Sequence, residues 1–401
     1  MKLLIADAFS ETHLSAFAQL GLDVDYRPQL SAAELPQAIG QVRILVVRST
    51  RVTAETICAG TALGLIVRAG AGVNTIDLEA ASQKGIFVTN CPGQNSIAVA
   101  ELTLGWLLAL DRRLPDQVEK LRAGQWNKKE FSKASGLYSR SLGVIGLGAI
   151  GQAVVARARA FGMKVVAWSR SLTAEKAAHL GVERAETIPA LCAACDAVSV
   201  HVAYVPGTRG LVGDAAFSRM RKGAIFINTS RAEVVDHDAL RQAIADKKLR
   251  VALDVFPGEP DKAEAPFAEP LLSLVYGSHH VGASTDQAQM AIADETLRIV
   301  ESFLQDGTVR NCVNILPPEQ TPARAELIVR HYDKVGVLAQ LLSEVRRHNI
   351  NVETMQNTVF LGAQAACARI RLGTRPPAEL VATIRKQPDI IFVDVVELPE
   401  T

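Results

Sequence analysis

Three ionisable residues stand just after short apolar runs in the second half of the chain, and their types suit hydride transfer at a carbonyl carbon. They are Arg231 in IFINTSRAEVV, Glu259 in LDVFPGEP and His280 in HHVGAST. Hydride addition to a 2-oxo acid leaves an alkoxide, so a general acid such as histidine must supply a proton. A neighbouring carboxylate stabilises the imidazolium, and an arginine binds the substrate carboxylate through two hydrogen bonds. The set predicts chemistry on a 2-hydroxy or 2-oxo acid.

A glycine-rich segment, LGVIGLGAIGQAV, predicts the site for the hydride carrier. Its spacing is G-x-G-x-x-G, after an apolar strand and at the start of a helix. The first glycine allows a tight turn, the second lets the backbone approach a pyrophosphate, and the third lets helix and strand pack closely. The phosphates then lie at the helix N-terminus, where free N–H groups point toward them. The residues expected there are Gly146, Gly148, Ala149, Ile150 and Gly151.

The end of the following strand, KVVAWSRS, bears on which nicotinamide cofactor is used. NAD sites usually have an acidic residue there, which accepts hydrogen bonds from the ribose 2′-OH. This chain has Ser169 and Arg170 instead, and these side chains could bind a 2′-phosphate. We therefore favour NADP, or the use of both cofactors; the alternative is a solvated Arg170 and NAD bound without the acidic residue. Asp254, in LDVF, is a further expected cofactor contact.

Apolar runs and helical patterns alternate from the N-terminus, which indicates parallel α/β layering. In the first part, strands are predicted at 2–6, 44–47, 65–67 and 86–88. A densely apolar helix, buried on most sides, is then predicted over 96–122. In the second part, strands are predicted at 142–145, 165–168, 197–201, 224–228 and 251–254, and helices at 150–160, 174–180, 236–245 and 286–304.

The bulk composition fits a protein of two or three domains without a nucleic-acid or membrane partner. The chain has 401 residues, 48% of them hydrophobic and 21% charged, and a formal net charge of +1. Its six cysteines are scattered, which is typical of reduced cytoplasmic thiols. Cys192 and Cys195 form an isolated C-x-x-C, so no metal site is predicted. The first residues, MKLLIADAF, lack the features of a signal peptide, and no apolar stretch is long enough to span a bilayer.

The last part of the chain predicts a separate small domain. The segment 314–322, NILPPEQTP, is rich in proline and predicts an extended linker. Beyond it, strand, helix, strand, strand, helix and strand are predicted at 325–330, 336–348, 352–360, 365–371, 377–386 and 390–396. That order is the βαββαβ order of ferredoxin-like domains.

Longer stretches of the sequence resemble a known family. The stretches VRAGAGVNTIDLEAA, GQNSIAVAELTLGWLLAL, GVIGLGAIG, NTSRAEVVD, LDVFPGEP and HHVGAST are similar to the D-isomer-specific 2-hydroxyacid dehydrogenases, and most similar to their D-3-phosphoglycerate dehydrogenase branch. The resemblance implies that Arg231, Glu259 and His280 are catalytic. It implies a Rossmann-like catalytic domain (1–95 and 283–313) and an inserted NAD(P)-binding Rossmann domain (96–282). It also implies a homodimer or homotetramer paired through the long helix.

The resemblance implies substrate contacts as well. The loop with Gly70, Gly72 and Val73 is similar to one whose backbone N–H groups bind the substrate carboxylate, and glycine allows that close approach. Arg48 matches an arginine that faces the substrate. Asn95 matches the position that follows a second substrate loop.

Two catalytic segments depart from the family pattern. The family often has proline where His279 precedes His280. His280 is expected to be the catalytic residue because it stands directly before Val281-Gly282-Ala283, and His279 is the alternative. Ala232 replaces the glycine that usually follows the catalytic arginine, which is a small steric change.

The segment HYDKVGVLAQLLSEVRRHNINV resembles the ACT domain, a regulatory module of many phosphoglycerate dehydrogenases, here expected over 322–401. In members that sense serine, residues matching His331, Asp333 and Asn351 bind the amino acid between two such domains. Asp333 stands where the family has asparagine, and its carboxylate would disfavour the carboxylate of an amino acid. An amino-acid effector site and a module that only pairs subunits therefore both stay open.

The resemblance implies the reversible oxidation of D-3-phosphoglycerate to 3-phosphohydroxypyruvate, the first step of L-serine biosynthesis, in the cytoplasm. The alternative within the same chemistry is an NADPH-dependent hydroxypyruvate or glyoxylate reductase. An alternative from another class is a nucleotide-sensing regulatory protein on a dehydrogenase scaffold. The complete set of Arg231, Glu259 and His280 argues against that class.

Overall fold

The computed structural model describes residues 1–260, 265–317 and 320–399. It divides into two units, Met1–Val313 and Asn314–Thr401. The division falls at the start of the predicted linker, whose Pro318 and Glu319 lie outside the described residues. Residues 261–264, after LDVFPGEP, and the last two residues of the expected C-terminal domain lie outside them as well.

The first part of the first unit is built on a five-stranded parallel sheet with the order β2-β1-β3-β4-β5. Its elements are β1 Lys2–Ile5, α1 Glu11–Gln19, β2 Asp23–Tyr26, α2 Leu35–Ala38, β3 Ile44–Val47, α3 Ala54–Ala59, β4 Leu65–Arg68, α4 Leu78–Gln83 and β5 Phe87–Asn90. The sequence does not predict β2, because DVDY is a partly exposed edge strand without an apolar run. The strand order reverses between β1 and β3, and open α/β sheets bind ligands in the crevice at such a reversal.

Three helices connect this sheet to the next: α5 Ser96–Arg112, α6 Leu114–Arg122 and α7 Lys128–Phe131. α5 is buried over most of its length, as its apolar composition predicts, whereas α6 has no buried residue. The prediction of one helix over 96–122 is wrong, because Arg113 turns the chain in the left-handed region with a φ of 54°. Pro115 explains the break, since it lacks an N–H and its ring would clash with a carbonyl of the preceding turn.

The middle of the chain forms a seven-stranded parallel sheet with the order β12-β11-β10-β9-β6-β7-β8. Its elements are β6 Ser141–Ile145, α8 Ala149–Ala160, β7 Lys164–Trp168, α9 Ala174–Leu180, β8 Glu183–Arg184, α10 Ile188–Ala194, β9 Ala197–Val200, α11 Asp214–Phe217, β10 Ile225–Asn228, α12 His237–Lys247, β11 Arg250–Leu253 and β12 Tyr276–Gly277. Every strand and helix predicted here is present at nearly the predicted bounds. The short strands β8 and β12 and the short helices α10 and α11 are not among the predicted elements. Apolar clusters cover both faces of the sheet, whose order reverses between β6 and β9.

One further helix, α13 Asp286–Gln305, returns the chain to the first sheet. Its Ile292, Ile299 and Val300 belong to the apolar cluster on one face of that sheet. The chain then runs beside β5, where the N–H of Val313 donates to the carbonyl of Val88 at 2.9 Å. Residues 286–313 therefore pack with the first sheet although they follow the second in sequence. None of the helices described for this chain is both long and apolar enough to cross a membrane.

The second unit is a four-stranded antiparallel sheet with the order β14-β15-β13-β16. Its elements are β13 Ala325–Tyr332, α14 Val337–Arg347, β14 Val352–Val359, β15 Ala365–Leu372, α15 Ala378–Arg385 and β16 Ile390–Glu397. The order of these six elements is the predicted one. Apolar residues of both helices and of the sheet form a core of their own, so the unit has what an independent domain needs.

The C-x-x-C pair lies in the core of the middle sheet. Cys192 and Cys195 are fully buried, and burial raises the pKa of both thiols to about 12. Both thiols therefore stay protonated at neutral pH and act as small apolar side chains. Within the described parts of the chain, no cluster of three potential metal ligands occurs.

Candidate active site

The carboxyl ends of strands from both sheets of the first unit contribute to one cavity of about 1270 Å³. Loops after parallel strands meet at one edge of a sheet, where ligands of α/β proteins bind. The residues that line the cavity from such positions are Asp7 after β1, Arg48 after β3, Arg68 at the end of β4, Glu259 after β11 and His280 after β12.

His280 and Glu259 form a hydrogen-bonded pair in this cavity. Glu259 Oε2 lies 2.6 Å from His280 Nδ1, and Glu259 Oε1 accepts from the N–H of Phe256 at 2.6 Å. A carboxylate only accepts, so Nδ1 carries the proton of the neutral ring and Nε2 is free to take one up. The side chain of His280 is 46% exposed, so this nitrogen can meet a ligand.

The backbone of His280 is held in the left-handed region, with a φ of 53°. A residue with a Cβ keeps this conformation only where its surroundings enforce it. Asp254, buried after β11, accepts from Ser278 Oγ at 2.6 Å and from the N–H groups of Val281 and Gly282 at 3.0 and 2.9 Å. Both carboxylate oxygens of Asp254, expected to contact the cofactor, are thus directed to the loop that carries His280.

Arg48 and Arg68 line the cavity, and Arg231, which does not line it, lies near enough to Arg68 for its charge to act on that guanidinium. Burial, followed by the positive charges of Arg231 and Arg48, lowers the pKa of the Arg68 guanidinium to about 10, so it stays charged at neutral pH. Its Nε is buried without a hydrogen-bond partner. No carboxylate of the described residues forms an ion pair with any of the three. Partly buried cations without counter-charges attract an anion strongly.

Two glycines make room for these guanidinium groups. A Cβ on Gly70 would lie 1.6 Å from Arg68 Nη1, and a Cβ on Gly72 would lie 2.6 Å from Arg231 Nη2. Non-bonded atoms do not approach each other this closely, so any side chain at either position would displace the neighbouring arginine. The predicted substrate loop therefore has a second reason to contain glycine, besides the access that it gives to the backbone.

The other predicted substrate residues differ in whether they line the cavity. Asn95 stands before α5 and lines the cavity, and its Oδ1 is buried without a partner. Val73 is half-buried in the loop after Gly72 and does not line the cavity. His279 lines the cavity, yet the bond to Glu259 is made by His280.

The three glycines of the fingerprint have different structural roles. Gly146 has a φ of 98°, and a Cβ there would lie 2.5 Å from the carbonyl oxygen of His201. A Cβ on Gly151 would lie 2.0 Å from the carbonyl oxygen of Gly146. A Cβ on Gly148, at the start of α8, would meet nothing within 4 Å. The fold itself requires the first and third glycines, whereas the second leaves open space that fits the close approach of a pyrophosphate.

Ser169 and Arg170 follow β7 directly beside the fingerprint. The N–H of Gly146 donates to the carbonyl of Trp168 at 2.8 Å, which joins the ends of β6 and β7. Ser169 is half-buried and Arg170 is exposed. An anionic group on a nucleotide bound at the fingerprint could therefore meet the guanidinium of Arg170.

His331, an expected effector residue of the second unit, is buried. Its Nδ1 lies 2.8 Å from the carbonyl oxygen of Tyr332, and its Nε2 lies 3.2 Å from Asn357 Oδ1. Asp333 follows in an exposed loop. Both imidazole nitrogens therefore lie within hydrogen-bonding distance of polar atoms of the same unit.

Asn351, the third expected effector residue, lies far from the other two within the chain. His331 pairs with Ala366 near one end of β15, whereas Asn351 precedes Val352, which pairs with Leu372 at the other end. At about 3.3 Å per residue, these ends are roughly 20 Å apart. One copy of the unit therefore does not bring the three residues together.

Sequence reasoning did not single out Arg68 and Asp7 as site residues. Each carries the signal that identified Arg231 and Glu259, an ionisable residue at or just beyond the end of an apolar strand. Arg68 directly precedes the recognised loop of Gly70 and Gly72. Its place in the cavity, however, depends on the packing of both sheets.

Comparisons with known proteins agree with this chemistry. Residues 104–282 match the D-isomer specific 2-hydroxyacid dehydrogenase, NAD binding domain family. The chain is 40% identical to D-3-phosphoglycerate dehydrogenase of Methanocaldococcus jannaschii over 326 residues, which are 80% of this chain and 61% of that protein. It is 35% identical to that of Archaeoglobus fulgidus over 346 residues, which are 85% of this chain and 64% of that protein. The chain thus spans less than two thirds of the length of either relative.

Solved structures share the fold over most of this chain. The TT0316 protein of Thermus thermophilus has a TM-score of 0.70 and 30% identity, over 78% of this chain and 100% of that one. The cofactor (NAD+)-bound 3-phosphoglycerate dehydrogenase of Entamoeba histolytica has a TM-score of 0.66 and 25% identity, over 79% of this chain and 99% of that one.

Proposed function

We propose that this chain, which belongs to the D-isomer specific 2-hydroxyacid dehydrogenase family, oxidises D-3-phosphoglycerate reversibly to 3-phosphohydroxypyruvate, the first step of L-serine biosynthesis. The carrying observation is that Arg48 and Arg68 line the same cavity as the Glu259–His280 pair, and that the charge of Arg231 reaches Arg68. A substrate with both a carboxylate and a phosphate needs more cationic partners than a simple 2-hydroxy acid does. Relatives that bear this activity in their names share 35% and 40% of the aligned residues.

We propose that residues 1–95 and 283–313 form the catalytic domain and that residues 96–282 form the nucleotide domain. The packing of α13 on the first sheet supports this division, because it assigns the chain after the second sheet to the first. The fingerprint at the β6–β9 reversal supports the assignment of the nucleotide domain.

The residues at the fingerprint fit a nicotinamide dinucleotide. Gly148 leaves space for the pyrophosphate at the N-terminus of α8, and Ser169 and Arg170 would meet the adenosine ribose. When bound, the cofactor supplies the acceptor or donor of the hydride at C2 of the substrate. The fingerprint and the loops after β10, β11 and β12 lie along the same edge of one parallel sheet, which is the edge where such sheets bind ligands.

The protein side chains would handle the substrate anions and the proton. In the oxidative direction, Nε2 of His280 takes the hydroxyl proton while Glu259 stabilises the imidazolium. In the reductive direction the same nitrogen returns the proton to the forming alkoxide. Arg231 binds the substrate carboxylate and polarises the C2 oxygen, and Arg48 and Arg68 hold the remaining negative charge.

The test of this function is the initial rate with phosphohydroxypyruvate, hydroxypyruvate and glyoxylate, each measured with NADH and with NADPH. We expect the highest kcat/KM with phosphohydroxypyruvate. Preference for glyoxylate or hydroxypyruvate with NADPH would instead indicate a reductase. Cofactor binding without turnover on any of the three would indicate a nucleotide-sensing protein.

For the cofactor we propose that Arg170 allows the use of NADP. Replacing Arg170 by alanine should lower kcat/KM for NADPH by about 10- to 100-fold, the size of a charge-assisted hydrogen bond, because the 2′-phosphate loses its cation. The kcat/KM for NADH should change by less than about threefold. Lys164→Ala, at the exposed start of the same strand, is the matched control. Equal losses for both cofactors would refute a selective role.

For the second unit we propose an ACT-like, ferredoxin-like module that binds an amino-acid effector between two copies of the chain. The separation of His331 and Asn351 within one sheet supports this, since two copies could join what one copy keeps apart. The exposed Leu114, Val118 and Leu121 of α6 support pairing as a homodimer or homotetramer.

The effector is tested by adding L-serine to the full chain. We expect a saturable loss of rate that Asn351→Ala weakens at least about tenfold in apparent affinity, with the rate in the absence of serine unchanged. Glu353→Gln, which alters only the partner of the Asn351 amide, is the control. Serine without any effect on the rate would leave pairing of subunits as the role of the unit.

A further inference from the structure

The geometry points to Asp7 as a positioning residue: its carboxylate holds the loop that presents Arg48 to the substrate anion. The inference deepens the proposed function and rests on it. None of the sequence motifs includes Asp7, which stands at the end of KLLIA near the N-terminus. Its place in the fold joins it to Arg48, which lies 41 residues away along the chain.

The carboxylate of Asp7 accepts four hydrogen bonds from one loop. Oδ2 accepts from the backbone N–H groups of Arg48, Ser49 and Thr50 at 2.6, 3.2 and 3.1 Å. Oδ1 accepts from Ser49 Oγ at 2.9 Å. Three successive N–H groups that converge on one point form an anion-binding concavity, and here the anion belongs to the protein.

The position of this contact gives it a functional meaning. Asp7 follows β1 and Arg48 follows β3, the two neighbouring strands between which the order of the first sheet reverses. Loops at such a reversal diverge and leave a crevice in which ligands of open α/β sheets bind. Both residues line the 1270 Å³ cavity.

An acidic residue in an anion-binding cavity needs an explanation. The charge of Asp7 is taken up by backbone N–H groups, and within the described residues it forms no ion pair with Arg48. The guanidinium of Arg48 therefore stays free for a ligand while its backbone is fixed. Burial and the charges of Arg231 and Arg48 lower the pKa of Arg68, whereas the negative charge of Asp7 raises it. Asp7 thus helps to keep Arg68 protonated.

The consequence is specific to one kinetic parameter. Without the carboxylate, three N–H groups lose their acceptor, the loop relaxes toward water, and Arg48 no longer points reliably at the substrate. The substrate KM should rise, because binding requires the arginine in place. The cofactor KM should not, because the fingerprint belongs to the other sheet. The kcat should fall less than the KM rises, because the Glu259–His280 pair is untouched.

The test is a double-mutant cycle on the full chain with Asp7→Ala, Arg48→Ala and both together, measured with phosphohydroxypyruvate. Each single change should raise the substrate KM about 10- to 100-fold, as expected when a charge-assisted contact is lost. The substrate KM of the double variant should exceed that of Arg48→Ala by less than about threefold, because Asp7 acts through that residue. Asp23→Ala, which removes an exposed carboxylate of the same sheet outside the cavity lining, is the control and should shift KM by less than about threefold.

Several outcomes would overturn the inference. They are an unchanged KM in Asp7→Ala, additive losses in the double variant, or equal rises of substrate and cofactor KM together with a lower Tm. If Asp7→Ala does not fold, Asp7→Asn keeps the shape and one acceptor oxygen, and it should show the same selective rise of KM at smaller size. If the wild type turns over the substrate and the Asp7 variants keep its substrate KM, only this inference is refuted. Absence of turnover by the wild type refutes the proposed function, and the role of Asp7 falls with it.

Discussion

Replacing His280 by alanine is expected to lower kcat by about 10²- to 10⁴-fold, the usual contribution of a general acid–base group. The physical reason is that Nε2, the only free nitrogen of the Glu259-bound ring, exchanges the proton with the substrate oxygen. Cofactor binding, followed by protein fluorescence on titration with NADH, should be unchanged within about threefold, because the fingerprint lies in another loop. The measurements are kcat in both directions and the dissociation constant of NADH.

His279→Ala is the matched control for this prediction, since His279 lines the same cavity and lacks the bond to Glu259. It should keep kcat within about threefold of the wild type. Wild-type turnover by the His280 variant, or a larger loss in the His279 variant, would show that the catalytic histidine has been assigned to the wrong residue.

Replacing Arg231 by alanine should lower kcat/KM for the 2-oxo acid by about 10²- to 10⁴-fold. Two charge-assisted hydrogen bonds to the carboxylate are lost, each worth about 1.5–3 kcal/mol, and the carbonyl is no longer polarised. Arg231→Lys should recover little, because an ammonium group cannot form the two parallel bonds of a guanidinium. Steady-state kinetics with phosphohydroxypyruvate measure both variants.

Two further variants test whether the position of Arg231 matters as well as its charge. Gly72→Ala keeps the arginine but would set a Cβ 2.6 Å from its Nη2, so it should lower kcat/KM in the same direction. Arg51→Ala removes an exposed arginine outside the cavity lining and should leave kcat/KM nearly unchanged. A harmless Arg231→Lys change would contradict bidentate binding.

Periodicity and residue type predicted the repeating elements well, and for a physical reason. The strand β3 is an unbroken apolar run, and β4 and β9 have one polar residue each, because parallel strands are buried on both faces. The edge strand β2 escaped prediction because its polar residues face water. The break between α5 and α6 was also missed, although Pro115 was visible in the sequence. The dense apolar run before Arg113 outweighed it.

The sequence predicted candidate residues of the site, but it did not predict the hydrogen bonds that hold them. Arg231, Glu259 and His280 were identified because each follows a strand in a distinctive motif. The sequence could not tell that Asp254 bonds to the loop on both sides of His280. That arrangement depends on the neighbouring positions of β11 and β12 in the sheet.

The sequence by itself determined the parallel α/β class of the first unit and the place of the glycine fingerprint, because these depend on local spacing and on the burial of individual strands. It also predicted Arg231, Glu259 and His280 as central site residues. Only the tertiary structure decided that Arg48 and Arg68 line one cavity with Arg231 near Arg68. It also decided that Gly70 and Gly72 give room to Arg68 and Arg231, and that Asp7 bonds to the Arg48 loop. It also decided that His331 and Asn351 lie at opposite ends of one sheet. Contacts of this kind join residues far apart in the chain, and they are set by strand order, which local sequence patterns do not encode.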